Sequence, residues 1–300
     1  MSTKRRLKLK SSISRSKVTP KAEREKITVL KLGGELLEGP KQLKKTVAII
    51  AKFSKESPLI VVHGGGREID AELARRGIEK RSVDGIRITN IATLSVVTAV
   101  LAGTVNTRLV AALVSHGISA IGLTGVDDAI GLVEPAPKHR TISGRNVSLG
   151  RVGRPSSSTA PQLLIDLYKN GYVPIVASIG TSLDGRLFNV NADTLAGHLA
   201  GALKARRLII AGTTTGVLDK IQRTIPQLDD NGINSLISSG QAHAGMVAKL
   251  LACREAVHHG VGEVIVINGR KPYRPHSVNG TRILRTPDKC QENHTQHGSQ

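Results

Sequence analysis

The stretch LIVVHGGGREID, residues 59–70, sets three bare glycines between a run of apolar β-formers and residues able to open a helix. Such a junction suits phosphate, because unhindered N–H groups and the positive end of a helix dipole converge on one point. It equally suits a tight turn, in which glycine supplies a positive φ without a steric penalty. Neither familiar nucleotide template is met: no lysine-serine or lysine-threonine pair follows as in a Walker A loop, and the glycine spacing is not that of a dinucleotide fingerprint. A second glycine pair, Gly33 and Gly34, follows Lys31 in KLGGE. Cys290, His294 and His297 have the residue types of metal ligands, but they sit in a polar tail without a fourth partner and are read as chance, so no metal ligand is assigned.

The elements that must position these residues are legible as apolar runs. ITVLKL at 27–32, LIVV at 59–62, ISAIGL at 118–123, VPIVAS at 173–178, RLIIAG at 207–212 and EVIVIN at 263–268 are short and continuous, as strands buried on both faces should be. The clearest helix between them starts near Asn90, a good cap, and carries Leu94, Val97, Leu101, Val105, Leu109 and Leu113 at steps of three or four. This alternation predicts a mostly parallel sheet covered by helices, with ligands gathering at the carboxyl ends of the strands. Residues 132–155, rich in Pro, Gly and charge, read as a surface hairpin or flap. The 39% hydrophobic content of 300 residues suffices for a substantial core, and no run is expected to reach membrane-spanning length. Two cysteines make no disulfide framework, which agrees with a reducing compartment.

Charge is uneven along the chain. Residues 1–26 carry a net +8 of the chain's +20 and hold few core-forming residues, so they read as a disordered basic arm. The arm suits an anionic surface, nucleic acid or an acidic protein, or a transit peptide, or simply a solubilising tail. The location expected is the cytoplasm, or an organelle stroma or matrix if the arm is a transit peptide. With 2% aromatic residues and no Trp, the body lacks the stacking platforms of single-strand or RNA binders.

KLGGE, VVHGGGREID, VDGIRIT, FNVNADT and AGMVAK, in this order from about Ile27 to Arg270, resemble the amino-acid kinase family. The resemblance implies an open three-layer α/β/α sandwich over 27–285, with an acceptor lobe at about 27–178, a nucleotide lobe at about 179–285 and a polar tail at 286–300. It implies ATP-dependent phosphorylation of the side-chain carboxylate of N-acetyl-L-glutamate, a step of arginine synthesis, by a homodimer or larger homo-oligomer. ATP would come with Mg2+, held mainly by the nucleotide phosphates. A carboxylate acceptor, with a pKa of about 4.3, needs no general base; what such a site needs is cations and N–H groups that let two anions meet.

Carried onto this sequence, the resemblance places Lys31 at the transferring phosphoryl, Lys249 at the leaving side and Asp193 between them as their orienter. Gly34, Gly64, Gly65 and Gly66 would offer N–H groups to the moving phosphoryl and the acceptor; Arg87 and Asn189 would hold the α-carboxylate; Thr213, Gly216 and Met246 would lie near the nucleotide. Each has a plainer reading: a solvated strand-end lysine, an exposed helical lysine, a capping or first-turn acid for Asp193, and a surface ion-pair partner for Arg87. Thr213 stands where the family usually has an aspartate, Ala244 where it has a glycine, and Asn90 where an acid is frequent. The alternatives are a kinase acting on aminoadipate or glutamate linked to an acidic carrier protein, which the net charge of +20 would attract, and a nonenzymatic basic regulatory or nucleic-acid-binding protein. Residues 264–287 hold Arg270, Lys271, Arg274, Arg282 and Arg285 and no acid, so inhibition by arginine at a carboxy-terminal site is not expected unless Glu263 or Asp288 folds in.

Overall fold

The computed structural model describes residues 27–141, 144–159, 161–242, 244–271 and 280–286. The basic arm and the tail beyond Thr286 therefore lie outside the described residues. Eight strands make the central sheet, in the order Gln227–Leu228, Gly280–Ile283, Glu263–Asn268, Arg207–Gly212, Thr28–Leu32, Leu59–His63, Val173–Ala177 and Ala120–Thr124. All six apolar runs appear in it. The two unforeseen strands, Gln227–Leu228 and Gly280–Ile283, are short and run against the other six, the second paired antiparallel with Glu263–Asn268 and the first parallel with the second.

Every residue of Thr28–Leu32 and Leu59–His63 is buried, which is why neither strand alternates polar with apolar. Their side chains divide between two cores, with Val29, Ile60 and Val62 in one and Leu30, Leu32, Leu59 and Val61 in the other. The first core is closed by helices Gln162–Lys169, Ala192–Ala202 and Ala244–His258 through Leu164, Leu195, Leu199 and Leu250. Helix Gly39–Glu56 and the run 91–114 close the second through Val47, Ile50, Phe53, Val97 and Leu101. Three layers result. The expected flap is a nested hairpin: Val133–Pro135 pairs antiparallel with Val152–Pro155, and His139–Arg140 with Asn146–Val147. Its outer strands join Leu187–Val190 and Ile179–Thr181 in a second, four-stranded sheet.

The run 91–114 corrects one expectation, since by length and composition it could cross a membrane, at a mean hydropathy of 1.6. Here it is a core helix, capped as anticipated by Asn90, whose side chain accepts from Thr93 N at 2.8 Å. Between Ala99 and Asn106 it widens into a π-helix. The sequence explains why: Val97, Leu101, Val105, Leu109 and Leu113 follow at four-residue steps, and each such step overshoots an α-helical turn by about 40°. A wider turn takes up the overshoot, and all five side chains end no more than 1% exposed.

Asn106 closes that segment and holds three strands. Its Nδ2, with two hydrogens to share among three acceptors, lies 3.1 Å from the Leu123 carbonyl, 2.9 Å from that of Ile175 and 3.1 Å from Nε2 of the fully buried His63. With Nε2 accepting, the ring proton sits on Nδ1, which donates to Gly64 O at 3.2 Å. Burial pushes the His63 pKa down to about 4, against a weaker upward pull from the Gly64 carbonyl. The unfolded chain takes up a proton below pH 6.5 or so and the folded one does not until about 4. Stability from the neutral ring is therefore complete above the upper value and declines as pH falls through the window, by about 3 kcal/mol in all. Urea unfolding at several pH values between 7 and about 4.5 should show a shallower decline for His63→Gln than for the parent chain; parallel curves would remove His63 as the cause.

Candidate active site

Parallel register brings the sequence motifs to one edge. Leu32 lies opposite both His63 and Ala211, so the segments that begin at Gly33, Gly64 and Thr213 leave the sheet side by side. The glycines there serve close approach rather than positive φ: Gly33, Gly34, Gly64, Gly65 and Gly66 are not among the positive-φ glycines, and Gly65 is extended at φ −170°. A Cβ at Gly34 would stand 2.9 Å from Gly65 Cα and 3.1 Å from Gly66 N, so the two loops touch backbone to backbone. One at Gly66 would meet nothing within 4 Å. Helix Gly66–Arg75 starts there, and its ladder begins with Ile69 N to Gly65 O, leaving the earlier N–H groups without intrahelical partners.

Beside this concavity stands a triad of charges. Asp193 Oδ1 accepts from Lys31 Nζ at 2.9 Å and from Lys249 Nζ at 3.2 Å, and all three side chains are nearly buried. Burial alone would raise the Asp193 pKa, but Lys31 and Lys249 outweigh it and hold the carboxyl below its ordinary value. Lys249 is itself lowered, by burial and then by Lys31, with Asp193 opposing. Asp193 is not the cap of its helix; Asn191 is, its Oδ1 accepting from Asp193 N at 2.9 Å and Thr194 N at 3.0 Å. The cap is thus another residue, while Asp193 remains an acid of the helix's first turn as well as the partner of both lysines, and Ala192 packs 3.5 Å from the position of a Gly64 Cβ.

On the far side of the glycines, Arg87 is mostly buried and its Nη2 donates to Asp70 Oδ1, while Nη1 is buried without a partner. Asn189 Nδ2 donates to Thr89 Oγ1 at 3.2 Å, and that hydroxyl donates to Arg87 O at 3.3 Å, so Asn189 and Arg87 belong to one cluster. A cavity of about 400 Å³ lies on the other flank, lined by Thr214, Val217, Leu218, Leu236, Gln241 and Met246 among others. Of the three nucleotide candidates, only Met246 lines it. Thr213 lies at the strand end just before it, and Gly216, at φ +151°, lets the chain turn where a Cβ would stand 2.7 Å from Thr281 Oγ1. No group of three or more His, Cys, Asp or Glu able to hold a metal occurs among the described residues.

Sequence reading missed Asp70, Asn191 and Thr89. Asn191 was detectable as an amide two residues ahead of an acid at a helix start; the other two act through contacts between segments distant in sequence. Removing the Asp193 charge leaves two buried ammonium groups facing one another. Asp193→Asn should therefore cost about 3 kcal/mol in denaturant unfolding, whereas the lost cap in Asn191→Ala should cost about 1 kcal/mol. Equal losses would return Asp193 to a purely helical role.

Comparison with known proteins agrees with this geometry. The profile of the amino acid kinase family matches residues 26–268. An acetylglutamate kinase of Methanopyrus kandleri is 40% identical over 243 residues, covering 80% of this chain and 94% of its own. One of Nitrobacter hamburgensis is 37% identical over 258 residues, covering 83% of this chain and 85% of its own. Among solved structures, N-acetylglutamate synthase of Neisseria gonorrhoeae superposes with a TM-score of 0.73 at 22% identity, over 88% of this chain and 61% of that one. Giardia carbamate kinase does so at 0.61 and 16%, over 86% and 98%. Those two likenesses concern the fold; the sequence matches, which span most of the chain, make it a member of the amino acid kinase family.

Proposed function

We propose that the protein transfers the γ-phosphoryl group of ATP to the side-chain carboxylate of N-acetyl-L-glutamate, giving an acyl phosphate and ADP. The observation that carries this reading is the pairing of Lys31 and Lys249 on one oxygen of Asp193, beside two glycine loops packed backbone to backbone. A carboxylate oxygen attacks the phosphorus, the bond to the bridging oxygen of ADP breaks, and no proton moves, because the acceptor is ionised at neutral pH. Lys31 faces the transferring group, Lys249 the leaving oxygen, and Gly34 with Gly64–Gly66 supplies N–H groups to the equatorial oxygens. Arg87 and Asn189 hold the α-carboxylate, and the orphaned Nη1 of Arg87 is the donor an incoming carboxylate would take up. The nucleotide enters the cavity lined by Met246, with the strand end at Thr213 and the turn at Gly216 shaping its approach. Asp193 is committed to the lysines, so Mg2+ is left to the nucleotide phosphates.

An assay of ADP release with N-acetylglutamate, glutamate and aspartate as competing acceptors tests the substrate, and preference for either free amino acid would overturn the reading. Lys31→Ala and Lys249→Ala should each lower kcat by about a hundredfold or more with smaller changes in KM, since both act chiefly in the transition state. Near-normal turnover would exclude the lysine concerned. Of the two acids that flank the basic carboxy-terminal stretch, Asp288 lies outside the described residues and Glu263 is engaged by Arg207 at 2.6 Å and Arg282 at 3.3 Å. Initial rates at limiting acetylglutamate should accordingly be unchanged by millimolar arginine, and inhibition with a raised acceptor KM would refute that.

A further inference from the structure

Asp70 lies one helical turn beyond Gly66, on the helix that starts at the glycine loop. Its two oxygens are divided: Oδ1 accepts from Arg87 Nη2, and Oδ2 accepts from Lys80 Nζ at 2.8 Å. Lys80 and Arg87 lie at the two ends of the segment that forms the hairpin Ser82–Val83 with Ile86–Arg87. One carboxylate thus pins both ends of that hairpin to the helix whose first N–H groups border the glycine concavity. Arg87 Nη2 also reaches Gly66 O at 3.4 Å, while Nη1 stays buried and unpartnered.

An arginine side chain left to itself samples many rotamers, and losing that freedom on binding weakens affinity. Asp70 removes the freedom in advance by occupying one arm of the fork and leaving the other aimed. It does so without cancelling the charge, since Lys80 shares the carboxylate and two cations against one anion leave the cluster net positive. The carboxyl is ionised at neutral pH: its burial would raise the pKa, but the contacts with Lys80 and Arg87 hold it below the ordinary value.

We infer that Asp70, steadied by Lys80, is a positioning residue that fixes the Arg87 guanidinium at a set distance from the glycine loop and so sets acceptor affinity. The inference rests on the reading that Arg87 grips the acceptor's α-carboxylate. Were Asp70 instead a competitor for Arg87, its removal would tighten acceptor binding.

Steady-state kinetics with N-acetylglutamate and ATP on the full chain separate these cases. Arg87→Ala should raise the acceptor KM by about tenfold or more with the ATP KM within about twofold. Asp70→Ala should raise the acceptor KM by about tenfold with the same ATP profile, Asp70→Glu should recover part of it, and the exposed Lys80→Ala should raise it about threefold. In the Arg87→Ala background, Asp70→Ala should add little, because a residue acting through another has nothing left to position. If Asp70→Ala folds poorly, Asp70→Asn and Lys80→Ala carry the same comparison. An unchanged or lowered acceptor KM in the Asp70 variants, with Arg87→Ala raising it, would overturn the inference alone. An unchanged KM in Arg87→Ala would overturn both the inference and the reading beneath it.

Discussion

Two ammonium groups cannot be held together in a buried place without something negative between them, and here that something is a single oxygen of Asp193. Desolvation is costly for each cation, and the carboxylate offsets it by holding both ammonium groups on one oxygen. Each lysine comes from a different element, Lys31 from the strand Thr28–Leu32 and Lys249 from the helix Ala244–His258. The helix Ala192–Ala202 supplies the acid from between them, and its own start is secured by Asn191 rather than by Asp193. The division of labour leaves the whole charge of Asp193 for the lysines.

Parallel strands make the convergence workable. Because Leu32, His63 and Ala211 share one level of the sheet, three loops emerge at one height, and glycines let the first two touch. Glycine often serves unusual φ; here Gly34 and Gly65 matter because a Cβ at Gly34 would stand 2.9 Å from Gly65 Cα and one at Gly65 3.0 Å from Leu101 Cδ2. Electrostatics follows the same geometry. Arg87 reaches the glycine run at Gly66 O, and Ala192, next in sequence to Asp193, meets it at Gly64, so two clusters that are each net positive meet the run at its two ends.

Much of this was legible beforehand. Six apolar runs located the six longest strands of the sheet because buried parallel strands leave an unbroken hydrophobic signature. The glycine motifs and lysines stood in recognisable order, which placed Lys31, Asp193, Lys249 and the Arg87–Asn189 cluster. What stayed hidden was two-body in character. Gln227–Leu228 and Gly280–Ile283 are strands only because a neighbour pairs with them, and nothing in GTRI announces it. Asp70 drew no notice in the sequence, since its partners lie ten and seventeen residues away across a hairpin. The choice between cap and counter-charge for Asp193 likewise needed coordinates.

The π-helical segment has a consequence for how this chain can vary in length. Deleting one residue between Ala99 and Asn106 would let the backbone relax to ordinary α geometry with little net rotation, since the eleven steps left between Val97 and Leu109 would turn about 1100°, within about 20° of three full turns. Leu109 and Leu113 would stay on the second core, whereas a deletion in either α-helical flank, Ile91–Thr98 or Thr107–Val114, has no surplus residue to give up and would turn the two sides by about 100° against one another. Changes of length among descendants of this gene should therefore collect in the turns and the flap, and a residue lost inside this helix should come from Ala99–Asn106, while the counts of the two flanks are inherited unchanged.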